Sequence, residues 1–274
     1  WESPWGKGRP GWHIECSAMS LKYLGESFEI HGGGRDLIFP HHENEIAQSE
    51  SFTSNQFAKI WMHVGMITIN GEKMSKSVGN VKSVNFALQD WGPNIIRLFC
   101  LSGSYSKPID YSEKLLKENI IKLRQIESCY YELRLAEGSG ANSTADKLVS
   151  ECKNEFDSAL NNDFNTPLAL TAYYKLIREV NSLAAEEKIT ENYAKTILPE
   201  FERMSEILGI EIVKVSNEEK NQINEMIKKR DKYRVEKNYL EADIIRDKIA
   251  EKNIIFLDHK NKTVWVKQEK IKAE

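Results

Sequence analysis

No long apolar run occurs in the chain, which leaves no candidate for a membrane-spanning helix. No cleavable leader precedes the first polar residues. Cysteine is scarce. Cys16, Cys100, Cys129 and Cys152 stand alone, without paired spacing, which argues against a disulfide framework and fits a reducing cytosol. Internal repeats and low-complexity tracts are missing as well. An initiator methionine is also lacking, and the opening Trp1-Glu2-Ser3-Pro4-Trp5 reads as the middle of a larger protein. No single sign of charge dominates. The net charge of −3 is unevenly spread: residues 215–274 hold 15 Lys+Arg against 12 Asp+Glu, or +3, and the remainder carries −6. A mildly basic tail on an acidic body is compatible with a nucleic-acid partner and equally with a solvated helix surface. The 274 residues suffice for two or three domains.

What is present reads as an α/β layer followed by helices. Residues 1–11 carry Pro and Gly among aromatics and read as loop. Ile14, Met19, Leu21 and Leu24 give residues 12–24 a helical stripe. Phe28-Glu29-Ile30-His31 alternates as a strand and is expected to run into a glycine loop at Gly32-Gly33-Gly34. Pro40 fits the first turn of a helix reaching to about Phe52. Residues 59–69 are aromatic and β-branched, predicting one strand, and Asn70-Gly71 predicts a tight turn. Strand, glycine loop, helix and strand are the rhythm of a nucleotide-binding layer. Beyond Pro108 the period becomes helical, with helices expected over about 113–136, 144–161, 167–187 and 189–208, a bundle. A last unit holds helices near 217–236 and 239–252, the second opened by Asn238 and Glu241 at capping-box spacing. Short strands follow near 254–257 and 263–267.

His41 and Glu45 lie four residues apart. On a helix that puts both on one face, about 6 Å apart at Cβ, so that an imidazole nitrogen and a carboxylate oxygen can reach one cation. Cys16 is a thiolate candidate on an earlier helix. Cysteine, histidine and glutamate together favour zinc over magnesium or calcium. An exposed His–Glu ion pair and a small buried cysteine are the plain alternatives. His42 is set aside because Ile46 stands four residues on and cannot ligate. Bare N–H groups at Gly32, Gly33 and Gly34 can face phosphate or ribose, and Asp36 can accept from ribose hydroxyls or close a turn. In Lys73-Met74-Ser75-Lys76-Ser77, two ammonium groups can meet charge growing on a pyrophosphate leaving group.

These residues resemble the cysteinyl-tRNA synthetase family, class I aminoacyl-tRNA synthetases. The resemblance runs through Gly11-Trp12-His13-Ile14-Glu15-Cys16-Ser17-Ala18-Met19, then His31 to Glu45, then the Lys73–Ser77 loop. It resumes at Ala242-Asp243-Ile244-Ile245-Arg246-Asp247 and Trp265. It implies a Rossmann-like partial catalytic domain over 1–70 and a loop-bearing connector over 71–112. A helical bundle over 113–211 and a small α+β anticodon-binding domain over 215–274 follow. It further implies a zinc site with Cys16, His41 and Glu45, completed by a cysteine from an earlier segment. The family's HIGH motif also lies earlier and has no counterpart here, so the resemblance is to the C-terminal part, which by itself is expected to be inactive. The implied reaction activates cysteine with ATP, Mg2+ accompanying, and passes it to tRNA(Cys). Trp12 and His31 wall the amino-acid pocket in this resemblance. Gly32, Gly33, Gly34 and Asp36 hold adenosine, Lys73 and Lys76 serve the phosphates, and Asp243, Arg246, Asp258 and Trp265 contact tRNA. A cytoplasmic monomer is expected. The competing readings are a non-catalytic tRNA-binding module and a cysteine ligase acting on a small thiol precursor.

Overall fold

The computed structural model describes residues 1–69, 71–74, 82–140, 144–260 and 263–273. Its contacts group into two compact units, Trp1–Val78 with Gly103–Tyr111, and Gly79–Ser102 with Ser112–Glu274.

In the smaller unit, α1 (Trp12–Leu24) leads to β1 (Phe28–Gly34), a short 3-10 turn (Arg35–Leu37) and a one-turn π-type segment (Ile38–His42). These continue into α2 (Glu43–Thr53) and β2 (Ala58–Val64). Strands β1 and β2 pair in parallel, Phe28 opposite Ala58 and His31 opposite Trp61. Parallel neighbours need a long crossover, and α2 with the turns before it supplies one. Phe28, Phe57 and Ala58 form the local core, with Ile46 and Trp61 packed on it.

Two expectations are corrected here. The glycines at 32–34 are not a loop but the last residues of β1, paired with Met62, His63 and Val64. The single strand expected over 59–69 is two, β2 and β3 (Ile67–Ile69), because the chain breaks at Gly65. There the Gly65 N–H donates to the Tyr105 carbonyl at 2.7 Å, and any Cβ would collide with the Lys107 carbonyl. A three-stranded sheet follows in the order β4 (Glu72–Lys73), β3, β5 (Ile109–Asp110). Thr68 faces Lys73 across its antiparallel pair, and Gly71 carries the positive φ of 78° that the hairpin turn requires.

The larger unit opens with α3 (Val84–Leu101), a helix inside the stretch 71–112 that the resemblance implies as a connector. Ser83 caps it, its Oγ accepting from the Phe86 N–H at 3.2 Å, a cap worth about 1 kcal/mol. Next come α4 (Glu113–Arg134), α5 (Ala145–Asn161), α6 (Thr166–Ala185) and α7 (Glu191–Leu208). Their buried stripes, including Leu116, Leu123, Ile126, Tyr173, Leu176, Ile197 and Phe201, make one core. Asn165 caps α6 with Pro167 in its first turn, and Gly209, at φ 68°, ends α7. Helices α8 (Asn217–Val235) and α9 (Tyr239–Ala250) pack together, and the antiparallel pair β6 (Ile254–Asp258) and β7 (Thr263–Lys267) completes the unit. Asn238 accepts from the Glu241 N–H at 3.4 Å, the cap that its spacing suggested.

Candidate active site

The smaller unit concentrates its chemistry where α1, β1 and the start of α2 meet. Phe39, at φ −132° and ψ 133°, kinks the chain out of helical geometry, so His41 and His42 enter α2 as a new turn. Both are 3% exposed, and Glu45 is 1% exposed. The i,i+4 pair is therefore a buried pair, not the solvated ion pair of the plain alternative. His41 Nε2 lies 2.5 Å from Glu45 Oε1. Cys16 comes in from α1, and the ligand atoms of Cys16, His41 and Glu45 all lie within 4.8 Å of one another. His31, His42 and Glu45 form a second group of the same kind. Glu45 is common to both, with His31 Nε2 2.9 Å from its Oε2. That oxygen is buried, and despite the short distance the His31 ring is not aligned to hydrogen-bond it.

Sequence reasoning missed how many imidazoles converge. His42 was set aside for want of an i+4 partner, yet Glu45 stands three residues on, which is also one helix face. His13 Nδ1 is 2.7 Å from His41 Nδ1, and His42 Nδ1 is 2.9 Å from His63 Nε2. The Trp12 ring lies 4.1 Å from that of His41, although Trp12 itself is exposed.

Burial sets the charge states. It pushes Glu45 up to about 7. It lowers His42 to about 4, with His63, His31 and His41 adding to the effect. His31 and His41 are lowered by the same desolvation, reinforced by neighbouring imidazoles. Cys16 is raised by burial and then by Glu45. The short His–Glu distances resemble salt bridges, but desolvation favours the neutral form of both partners. The thiol, imidazole and carboxylate atoms that converge here form a donor set suited to a cation.

Gly33 is shaped by this cluster. A Cβ on it would sit 2.8 Å from the His42 ring, so the missing side chain is what lets the imidazole lie against β1. A Cβ on Gly34 would meet Asp36 Oδ1, which places that carboxylate over the turn after β1. Lys73 lies in β4, whereas Lys76 lies outside the described residues.

In the larger unit, Asp243, Arg246 and Asp258 line one cavity of about 520 Å3 together with Arg230, Arg234 and Tyr239. Arg246 Nη1 is 3.0 Å from Asp243 Oδ1, and Thr263 Oγ1 donates to Asp258 Oδ1 at 2.8 Å. The Arg230 guanidinium sits 4.2 Å over the Phe256 ring. Arg230 and Arg234 were missed, although their i,i+4 spacing on a basic helix was a signal for them. Trp265 does not join this cleft. It is 2% exposed, its Nε1 donates to Asn224 Oδ1 at 2.9 Å, and its ring packs 5.1 Å from Tyr131. The tRNA contact that the resemblance implies for Trp265 finds almost no exposed ring in this core position.

Residues 1–120 match the family model described as tRNA synthetases class I (C) catalytic domain, and residues 155–214 match the DALR domain. The fold is shared with class I synthetases of known structure. The LeuRS–tRNA–LeuAMS ternary complex of Agrobacterium radiobacter aligns over 66% of this chain and 27% of its own, at TM-score 0.52 and 15% identity. Methionyl-tRNA synthetase of Mycobacterium tuberculosis, in complex with methionyl-adenylate, aligns over 65% of this chain and 40% of its own, at TM-score 0.50 and 17% identity. The match of residues 1–120 is thus to the catalytic domain of class I tRNA synthetases. Within that class its similarity is to proteins named cysteine–tRNA ligase. The one from Bacillus cytotoxicus is 44% identical over 270 residues, 97% of this chain and 58% of the relative. That from Thermodesulfovibrio yellowstonii is 42% identical over 291 residues, covering 97% and 59%. The chain thus spans little more than half the length of the curated relatives it matches. No helix among the described residues is long and apolar enough to cross a membrane.

Proposed function

We propose that the full-length protein activates cysteine with ATP and transfers it to tRNA(Cys), with zinc selecting the substrate thiol. The observation that carries this reading is the convergence of Cys16, His41 and Glu45 within 4.8 Å. The fit to zinc is supported by the donor set of thiol, imidazole and carboxylate, and by Glu45 Oε2, buried without a hydrogen bond. Bound there, zinc would favour a substrate thiol as thiolate over the harder hydroxyl of serine, making the selection without an editing site.

The chain's own residues do the remainder by position. Trp12 and His31 wall the amino-acid pocket, and His31 stays neutral at working pH because burial lowers it. The cysteine carboxylate attacks the α-phosphorus of ATP, pyrophosphate leaves, and a terminal ribose hydroxyl of the tRNA then displaces AMP. No side chain acts as nucleophile, so the rate comes from orientation and electrostatics. Gly32, Gly33, Gly34 and Asp36 hold adenosine at the end of β1. Lys73 and Lys76 offset charge on the departing pyrophosphate, with Mg2+ on the phosphates. Asp243, Arg246 and Asp258 meet unpaired tRNA nucleotides in the C-terminal cleft, with Trp265 supporting the hairpin from inside.

Elemental analysis of purified protein tests the zinc directly. Bound zinc that falls on Cys16→Ala substitution is expected, and unchanged stoichiometry would remove Cys16 from the site. A gel shift with tRNA(Cys) separates this reading from a ligase of small thiols, which has no use for the C-terminal cleft.

A further inference from the structure

Helix α3 is interrupted. Gly92, at φ 77° and ψ 162°, leaves helical geometry, and Pro93 has no N–H to give the turn before it. The segment beyond β7 docks at this interruption. The Ala273 N–H donates to the Asp90 carbonyl at 2.9 Å, and Lys272 Nζ lies 3.1 Å from Asp90 Oδ1. Asn94, 2% exposed, holds two segments at once. Its Nδ2 donates to Glu269 Oε2 at 2.6 Å and to the Glu211 carbonyl at 2.7 Å, while its Oδ1 accepts from the Glu211 N–H at 3.0 Å. Gly92 makes room for this, because a Cβ there would collide with Glu269 Oε1.

Helix α4 grips the same residue from another side. Glu127 Oε1 accepts from the Glu269 N–H at 2.7 Å, and Arg124 Nη2 donates to the Glu269 carbonyl at 3.0 Å. Arg124 Nη1 also donates to Glu127 Oε2 at 2.7 Å. Glu269 therefore has its N–H, carbonyl and carboxylate all engaged, although it belongs to no regular element. Ile271, two residues on, is buried. At one end this segment continues β7, whose partner β6 lines the cleft of Arg246 and Asp258. At the other it meets α3, which begins eight residues after Lys76 in the sequence.

We propose that residues 268–273 are a strap that docks into the interruption of α3 and couples the β6–β7 hairpin, with its cleft, to that helix. Docked and released strap are the two states, and a coupling of this kind is reciprocal: what loosens the hairpin loosens α3, and the reverse. The activation chemistry proposed above does not require it, so the strap stands or falls independently.

Amide hydrogen exchange on the whole chain reads both ends together. Glu269→Ala, which leaves the backbone bonds in place, is expected to speed exchange about tenfold in residues 84–101 and also in 263–267. Glu269→Gln, which keeps an oxygen for Asn94 Nδ2, is expected to restore most of that protection. Thr263→Ala removes the hairpin's bond to Asp258 and is expected to speed exchange in 84–101 from the far end. Substitutions that each alter only their own segment, or a Glu269→Ala variant with wild-type exchange in 84–101, would overturn the strap.

Discussion

The histidine-lined site of the smaller unit and the arginine-lined cleft of the larger one are built on opposite principles. In the first, Glu45, His41 and His42 are almost wholly buried, and desolvation drives them toward neutrality. In the second, Arg246 and Asp243 pair at 3.0 Å with their side chains more than half exposed to water. A buried site fixes geometry and suits a small, precisely held group. An exposed cleft gives up rigidity but offers charge and hydrogen bonds to a large, hydrated partner. Substitution should therefore cost the first site bound metal and stability, and the second ligand affinity with little change in stability.

The largest effect is expected at Glu45, which both ligand groups share. Glu45→Ala should abolish zinc binding, read by elemental analysis, whereas Arg246→Ala should leave the zinc content alone. Equal metal loss in both variants would erase the contrast. Glu127, in the core of the larger unit, offers a pH test of burial away from any metal. Burial lifts its carboxyl from an ordinary 4.5 to about 7, against the opposing pull of the Glu269 N–H and Arg124. The folded state therefore holds this proton more tightly than the unfolded state. The stabilisation is complete below pH 4.5 and is lost as pH rises through 7, by at most about 3 kcal/mol. Denaturant unfolding between pH 5 and 8 should show that slope, and Glu127→Gln should flatten it; an unchanged slope in the variant would assign it to other groups.

A middle effect is expected at Gly33. Gly33→Ala forces a methyl group to 2.8 Å from the His42 ring and should cost about 1–3 kcal/mol in thermal unfolding. Gly32→Ala, whose nearest contact is 3.2 Å, should cost less, and equal melting temperatures would break the packing argument. The smallest stability effect is expected at Arg246. Arg246→Ala should leave unfolding within about 0.5 kcal/mol of the parent, while weakening tRNA(Cys) binding in a salt-dependent way. Unaltered tRNA affinity would remove Arg246 from the interface.

Legibility in the sequence cut across that division. Helix α1 and the bundle helices could be read because apolar periodicity and caps such as Asn165 and Gly209 agree with one another. Helix α3 could not, since Gly92-Pro93 splits its stripe and its continuity rests on contacts with Glu211 and Glu269, distant in sequence. The strand character of Gly32–Gly34 was hidden because composition pointed to a turn, whereas a neighbouring imidazole explains Gly33. His41 and Glu45 were visible through spacing within one helix. The roles of His13, His31 and His63 arise from three separate elements, and no local pattern announces such a meeting. Trp265 illustrates the converse: the resemblance implied a tRNA contact for it, whereas its indole is buried against Tyr131 and Asn224.

The contact between Gly33 and His42 limits how this site could be remade. One hydrogen in place of a methyl group fixes the depth at which that imidazole rests, so β1 leaves no slack for a larger residue at position 33. Any rebuilding of this cluster would therefore have to start from α1, where Trp12 is exposed but its ring also rests 4.1 Å from that of His41.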